Sequence, residues 1–142
     1  MAGTQLLDPS ASVTAQSRAD YMSFLSGGVI TAGDWVALDL TKTGSDRALY
    51  VIAAAAVTDG NSRVIGVCPA GATAAGQRVN VCIAGYCEGA RVTTAVGAGV
   101  PLTVDTTAGR ADLAVAADTH VCGVSLEIAA SNLADVFVFR RI

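Results

Sequence analysis

From Val29 onward, short apolar runs alternate with turns. The runs are VITAGDWVALDL, ALYVIAAAAV, RVIGVC, RVNVCIAGYCEGARVTTA, VPLTVD, ADLAVAA, HVCGVSLEIA and DVFVFRR, separated by Gly and Asp. A period of two is clear in Val79, Val81 and Ile83, in Leu102 and Val104, and in Val136 and Val138. That is the spacing of one face of a β-strand. Helical signals are few beyond the Ala-rich patches 53–56 and 70–75, and Gly71 and Gly76 turn the second patch into a loop or a single helical turn. Residues 1–28 read differently, rich in Ser, Thr, Ala and Gln, with Pro9 and a Ser26-Gly27-Gly28 break. Val13 to Leu25 predicts a short, weakly amphipathic helix opened by Ser12 or Thr14. The expected organisation is an N-terminal arm over 1–28 and a single β domain over 29–142.

The β region repeats itself. Val64-Ile65-Gly66-Val67 recurs as Val121-Cys122-Gly123-Val124 at an offset of 57, and Val79-Asn80-Val81 recurs as Val136-Phe137-Val138 at the same offset. Upstream, Thr31 to Asp39 aligns with Gly97 to Asp105 at an offset of 66, because the first copy has a connection nine residues longer. Each copy reads as an Ala-Gly turn, a strand ending in Asp, a Gly-bearing turn, a short strand, V-x-G-V, a loop and V-x-V. Ala-Gly supplies a positive φ before the strand, and the Asp caps the turn that leaves it. The Gly within V-x-G-V marks a bulge or a close backbone approach. The expected fold is mainly β, one small barrel or clip-like domain built from an internally duplicated unit, with halves at about 29–83 and 95–139.

Composition narrows the function. Of 142 residues, 52% are hydrophobic, 15% charged and 5% aromatic, and the formal net charge is -3. Such apolarity excludes intrinsic disorder of the β region. The acidic balance gives no footprint for phosphates, so no nucleic-acid partner is expected. The apolar run around Tyr50 to Val57 falls well short of the roughly 20 residues of a membrane-spanning helix, and no secretory signal is visible. The expectation is a soluble chain made in a cytoplasm, with so few charges that part of its surface is covered by other subunits.

Chemistry is sparse. Cys68, Cys82, Cys87 and Cys122 form no C-x-x-C pair, which leaves zinc-ribbon and thioredoxin readings without their signature. If Ala84-Gly85 were a two-residue hairpin turn, Cys82 and Cys87 would face each other and a disulfide would be within reach; free buried thiols are the expectation. Asp118, His120 and Cys122 share one alternation, but a Cys-His dyad needs an orienting group and no nucleophile elbow is present. The Asp residues mostly occupy turns, as turn chemistry alone predicts. Gly97-Ala98-Gly99 precedes a strand and not a helix, so it is no phosphate cradle. No catalytic residue, cofactor or metal is expected, and the chain reads as a non-enzyme.

Contact residues are the remaining candidates. Trp35, the sole tryptophan, is either core or an interface anchor. Phe137 and Phe139 alternate with Val136 and Val138, so both faces of the last strand are apolar, as in a central strand or a subunit contact. With Leu6, Leu7, Tyr21 and Phe24 of the arm they make up the expected interface set.

Residues 78 to the end resemble the capsid decoration, or cement, proteins of tailed bacteriophages. The motifs are V-x-V-x-x-x-G at Val79 to Gly85, A-G-x-x-L-x-x-D at Ala98 to Asp105, the Gly109-Arg110 turn, and V-x-G-V-S-L-E-x-A-A at Val121 to Ala130. Ile30 to Val67 is similar to the family's N-terminal half more loosely. The resemblance implies a β-clip or β-tulip domain. It further implies a homotrimer on the outer surface of a phage head, clamping neighbouring major capsid protein subunits. Two alternatives belong to other classes. One is a β-clip accessory module of an enzyme, motivated by the Ala32 to Asp34 turn and requiring Asp118, His120 or Cys122 to matter; the other is a surface adhesin-like domain.

Overall fold

Strands form where the apolar runs stand. The computed structural model describes residues 18–55, 63–115 and 120–139. Within them lie β1 (Ala19–Ser26), β2 (Asp34–Leu38), β3 (Tyr50–Ala53), β4 (Val64–Cys68), β5 (Arg78–Arg91), β6 (Pro101–Val104), β7 (Ala111–Leu113), β8 (Gly123–Ser125) and β9 (Leu133–Val138). A 3-10 turn at Gly44–Ala48 is the one named helical element among the described residues. The fold is mainly β.

The sheet order is β1-β3-β2-β4-β5-β9-β8-β6-β7, and β1 also pairs with β5. That pairing closes β1, β3, β2, β4 and β5 into a five-stranded barrel. Closure removes the free edges that an open sheet of this size would expose.

One pairing scheme occurs twice. The order β3-β2-β4-β5 in the first half matches β7-β6-β8-β9 in the second. Val36 pairs with Ala53 and Gly66, and at the matching place Leu102 pairs with Leu113 and Gly123. The Gly recurs because the neighbouring strand presses on it: a β-carbon on Gly66 would lie 1.9 Å from the Cys82 carbonyl oxygen, and one on Gly123 2.7 Å from that of Phe137. The closing strands differ by two residues. Val67 faces Cys82, but Val124 faces Phe137 and not Phe139, which the sequence offset of 57 would place there.

β5 is the shared spine, 14 residues long. Its first part, Arg78 to Gly85, pairs with β1; from Gly85 to Arg91 it pairs with β9. A bridge from Val92 to Ala111 and a hydrogen bond from Thr93 N to Ala111 O (2.9 Å) bring β7 back to the end of β5. The second half therefore curls on itself as the first does.

The apolar residues sort into two layers. Phe24, Val36, Val51, Ile65, Val79 and Val81 come from all five barrel strands and fill the barrel. Trp35, Val67, Cys82, Leu102, Val136 and Val138 form a second layer between the barrel wall and the second half. Side chains alternate across a strand, so β2 and β4, with an apolar layer on each side, read as the unbroken runs DWVAL and VIGVC.

One expectation is corrected and one conditional is settled. The helix expected over Val13 to Leu25 does not occur at 19–25, where the chain is strand β1 of the barrel. A weak helical preference loses to two neighbouring strands whose backbone groups need partners. Of the expected arm, then, residues 19–26 are barrel wall; residues 1–17 lie outside the described residues. The hairpin considered at Ala84-Gly85 does not form, because β5 runs straight through, and the cysteines are free and buried as expected. Gly85 adopts φ +88, and a β-carbon there would lie 1.6 Å from the Arg18 carbonyl oxygen. Its glycine serves a close crossing within one strand, not a chain reversal.

Candidate functional site

An outward row crosses the second half. Tyr86 on β5 lies opposite Phe137 on β9, Phe137 opposite Val124 on β8, and Val124 opposite Pro101 on β6. Residues directly opposite share a sheet face. Phe137 is 41% exposed and Phe139 42%, while Val136 and Val138, which alternate with them, are buried. The row is thus an exposed apolar stripe on a strand whose other face is core.

Its upper end is held rigidly. The Tyr86 hydroxyl donates to Asp135 Oδ2 at 3.0 Å, Gly89 N donates to Asp135 Oδ1 at 3.0 Å, and Asp135 N donates to Glu127 Oε1 at 2.9 Å. The Tyr86 hydroxyl is pushed up to about 12, first by that hydrogen bond to Asp135, then by burial and the nearby acidic charges. It stays a neutral donor throughout the physiological range.

Beside Phe137 the row opens into a groove of about 490 Å³, lined by Arg18, Asp20, Ala84, Gly85, Phe137 and Phe139. It lies where β5 passes from β1 to β9. Arg18 and Asp20 bring charge to its rim, and Ala84, Gly85 and the two phenylalanines form an apolar floor and wall.

The other expected contact residues are scattered. Tyr21 is 53% exposed on β1, its hydroxyl raised by partial burial and then by the charges of Cys82 and Cys87. Phe24 fills the barrel, and Trp35 is fully buried in the second layer with no hydrogen-bond partner for Nε1. Both present their side chains inward, so the alternative of core or anchor for Trp35 resolves to core. Leu6 and Leu7 lie outside the described residues. Tyr86, Arg18 and Ala84 had no mark in the sequence, because only the strand register brings them beside Phe137 and Phe139.

Residues with chemical potential do not converge. All four cysteines are free and buried. Cys82 and Cys87 share a hydrogen bond that lowers the first thiol and, with burial, raises the second. Cys122 Sγ donates to the Leu102 carbonyl at 3.4 Å. Asp118 of the considered Asp118, His120 and Cys122 alternation lies outside the described residues. Among the described residues no group of three or more His, Cys, Asp or Glu is placed to hold a metal ion, and no helix is long and apolar enough to cross a membrane.

Charged groups tie the halves together. Asp34 at the start of β2 is almost fully buried; it accepts from Thr31 N at 2.8 Å and forms an ion pair with Arg91 at the end of β5. Asp105 pairs with Arg110 across the turn that follows β6.

No protein-family model and no curated protein matches the chain. Among solved structures it is similar to the N base of the head fiber gp8.5 of bacteriophage phi29. The TM-score is 0.60 at 16% identity, over 86% of this chain and 95% of that one. At this identity the likeness shows a shared fold.

Proposed function

We propose that this chain is a structural protein of a bacteriophage head. In our reading it is a decoration protein that binds the outer capsid surface as a homotrimer and stabilises contacts between major capsid protein subunits. The observation that carries the reading is the fold likeness to a phage head-fiber base across nearly the whole of both chains. The decoration-protein motifs at Val79 to Gly85, Ala98 to Asp105 and Val121 to Ala130 point to the same setting.

The outward row gives the reading a physical basis. Exposed aromatic side chains on a rigid strand contribute large contact area with little ordering cost. The scarcity of charge suits a surface covered in an assembly. The protein acts by contact and catalyses nothing in this reading. A trimer multiplies each modest contact through effective concentration.

Co-sedimentation of the purified chain with expanded heads that lack it tests the reading. Saturable pelleting with heads is the expected result; a chain that stays in the supernatant at every head concentration overturns it.

A further inference from the structure

We propose that the groove between Arg18 and Phe139 receives Leu6 and Leu7 of a neighbouring copy, so that copies are joined by exchanged N-terminal segments. The inference rests on the preceding reading only in that copies of the chain associate.

The groove is an apolar recess and not a sheet edge. Phe137, Phe139, Ala84 and Gly85 line it; Phe137 stands on β9, which is paired on both sides, and Phe139 follows directly, its N donating to Cys122 O at 3.0 Å. β1 closes the barrel against β5, and Ala111 returns to Val92. An added strand therefore finds no long free edge here, and an occupant must bind through its side chains.

The occupant follows from where the described chain starts. Arg18 lies on the groove's rim, so the 17 preceding residues depart from that spot. Ser10 to Ser17, SASVTAQS, are mostly small or polar and offer little to an aromatic recess; Leu6 and Leu7 are the adjacent pair of large apolar residues in the segment. Leu7 stands 11 residues before Arg18, a span of at most about 40 Å when extended. A globule of this length has a radius of gyration of about 14.5 Å, hence a diameter of about 37 Å. The pair thus reaches the matching groove of an adjoining copy. To enter its own groove it would have to fold the intervening ten residues back on themselves.

The test uses the full-length chain, whose native cysteines are buried. A Leu7→Cys variant is mixed with a Phe139→Cys variant and oxidised with copper phenanthroline, each new disulfide passing two electrons and two protons to the reagent. A covalent dimer several-fold more abundant in the mixture than in either variant alone is expected. Sedimentation velocity of Leu7→Asp and of Phe139→Asp, with circular dichroism to verify folding, is expected to show loss of the oligomer in both. A Leu7→Cys, Phe139→Cys double variant that links only within single chains overturns the proposal, as does an oligomer unchanged by either aspartate or a wild-type chain that is monomeric. Head co-sedimentation separates the two readings. Cross-linking without head binding refutes the head function alone, and head binding without cross-linking refutes the exchange alone.

Discussion

Gly109 presses against the Asp34 carboxylate so closely that a β-carbon at position 109 would lie 2.3 Å from Asp34 Oδ1. The turn after β6 in the second half thereby docks on the start of β2 in the first. Backbone bonds lock the contact: Trp35 N donates to Gly109 O at 2.9 Å, and Gly109 N donates to Ala54 O at 2.7 Å. Gly109 also adopts φ +81.

Gly109→Ala combines a strained φ with a clash against a buried, ion-paired carboxylate. Each effect costs about 1–3 kcal/mol, and together they are expected to destabilise the fold by about 2–6 kcal/mol. Urea unfolding measures this; an unchanged midpoint would show that the turn moves freely away from Asp34.

Removing residues 1–28 deletes β1. The barrel then loses the strand that pairs with both β3 and β5, and Val79, Val81 and Val51 lose their cover. The truncated chain is expected to lose its cooperative thermal transition. Retention of that transition at the full-length temperature would mean that β1 is dispensable.

Acid is expected to weaken the fold. Burial pushes the Asp105 carboxyl up, but the Arg110 hydrogen bond and charge, with backbone N–H groups of Thr106 and Thr107, outweigh it and hold the group below its ordinary value of 3.8. Asp39 is lowered too, chiefly by the hydrogen bond from Thr41. A depressed folded-state value contributes stability above the unfolded value, and that stability is lost as pH falls through the folded value. The urea midpoint should therefore drop below about pH 4, and less steeply in Asp105→Asn. An identical acid profile for that variant would refute the role of the pair.

The thiols give a direct reading of both apolar layers, Cys68 in the barrel and the other three in the second layer. Cys68, Cys82, Cys87 and Cys122 are all free and buried, and burial raises Cys68 and, with the Cys82 hydrogen bond, Cys87. The Cys82 thiol is lowered by its hydrogen bond with Cys87, but it is buried like the others, and a thiol without access to the reagent does not react. A thiol reagent is expected to label none of the four in the native chain and all four in denaturant. Fast labelling of the native chain, or fewer than four thiols in denaturant, contradicts this.

Much of the body was legible in the row of residues. The unbroken runs DWVAL and VIGVC marked strands covered on both faces, and the recurring V-x-G-V pinned Gly66 and Gly123 to equivalent places opposite β2 and β6. β1 was not legible, because Ala19–Ser26 becomes a strand through partners 25 residues away in sequence on β3 and 53 or more away on β5. Gly85 misled for a related reason: a glycine at a hairpin and one under a crossing strand look alike until the Arg18 carbonyl is in view. In the candidate site, alternation exposed Phe137 and Phe139. Tyr86 and Arg18 join them only through register, which shifts by two residues between the halves.

The central claim is that this β body is a head-surface protein that works by contact through its outward row. The most direct measurement is co-sedimentation with expanded heads of the wild-type chain beside a Pro101→Asp, Val124→Asp double variant, which changes the row outside the groove and keeps its circular dichroism spectrum. The account predicts saturable binding of the wild type and at least a tenfold weaker binding of the variant. Wild-type chain that never pellets with heads, or a variant that binds equally well, would contradict it.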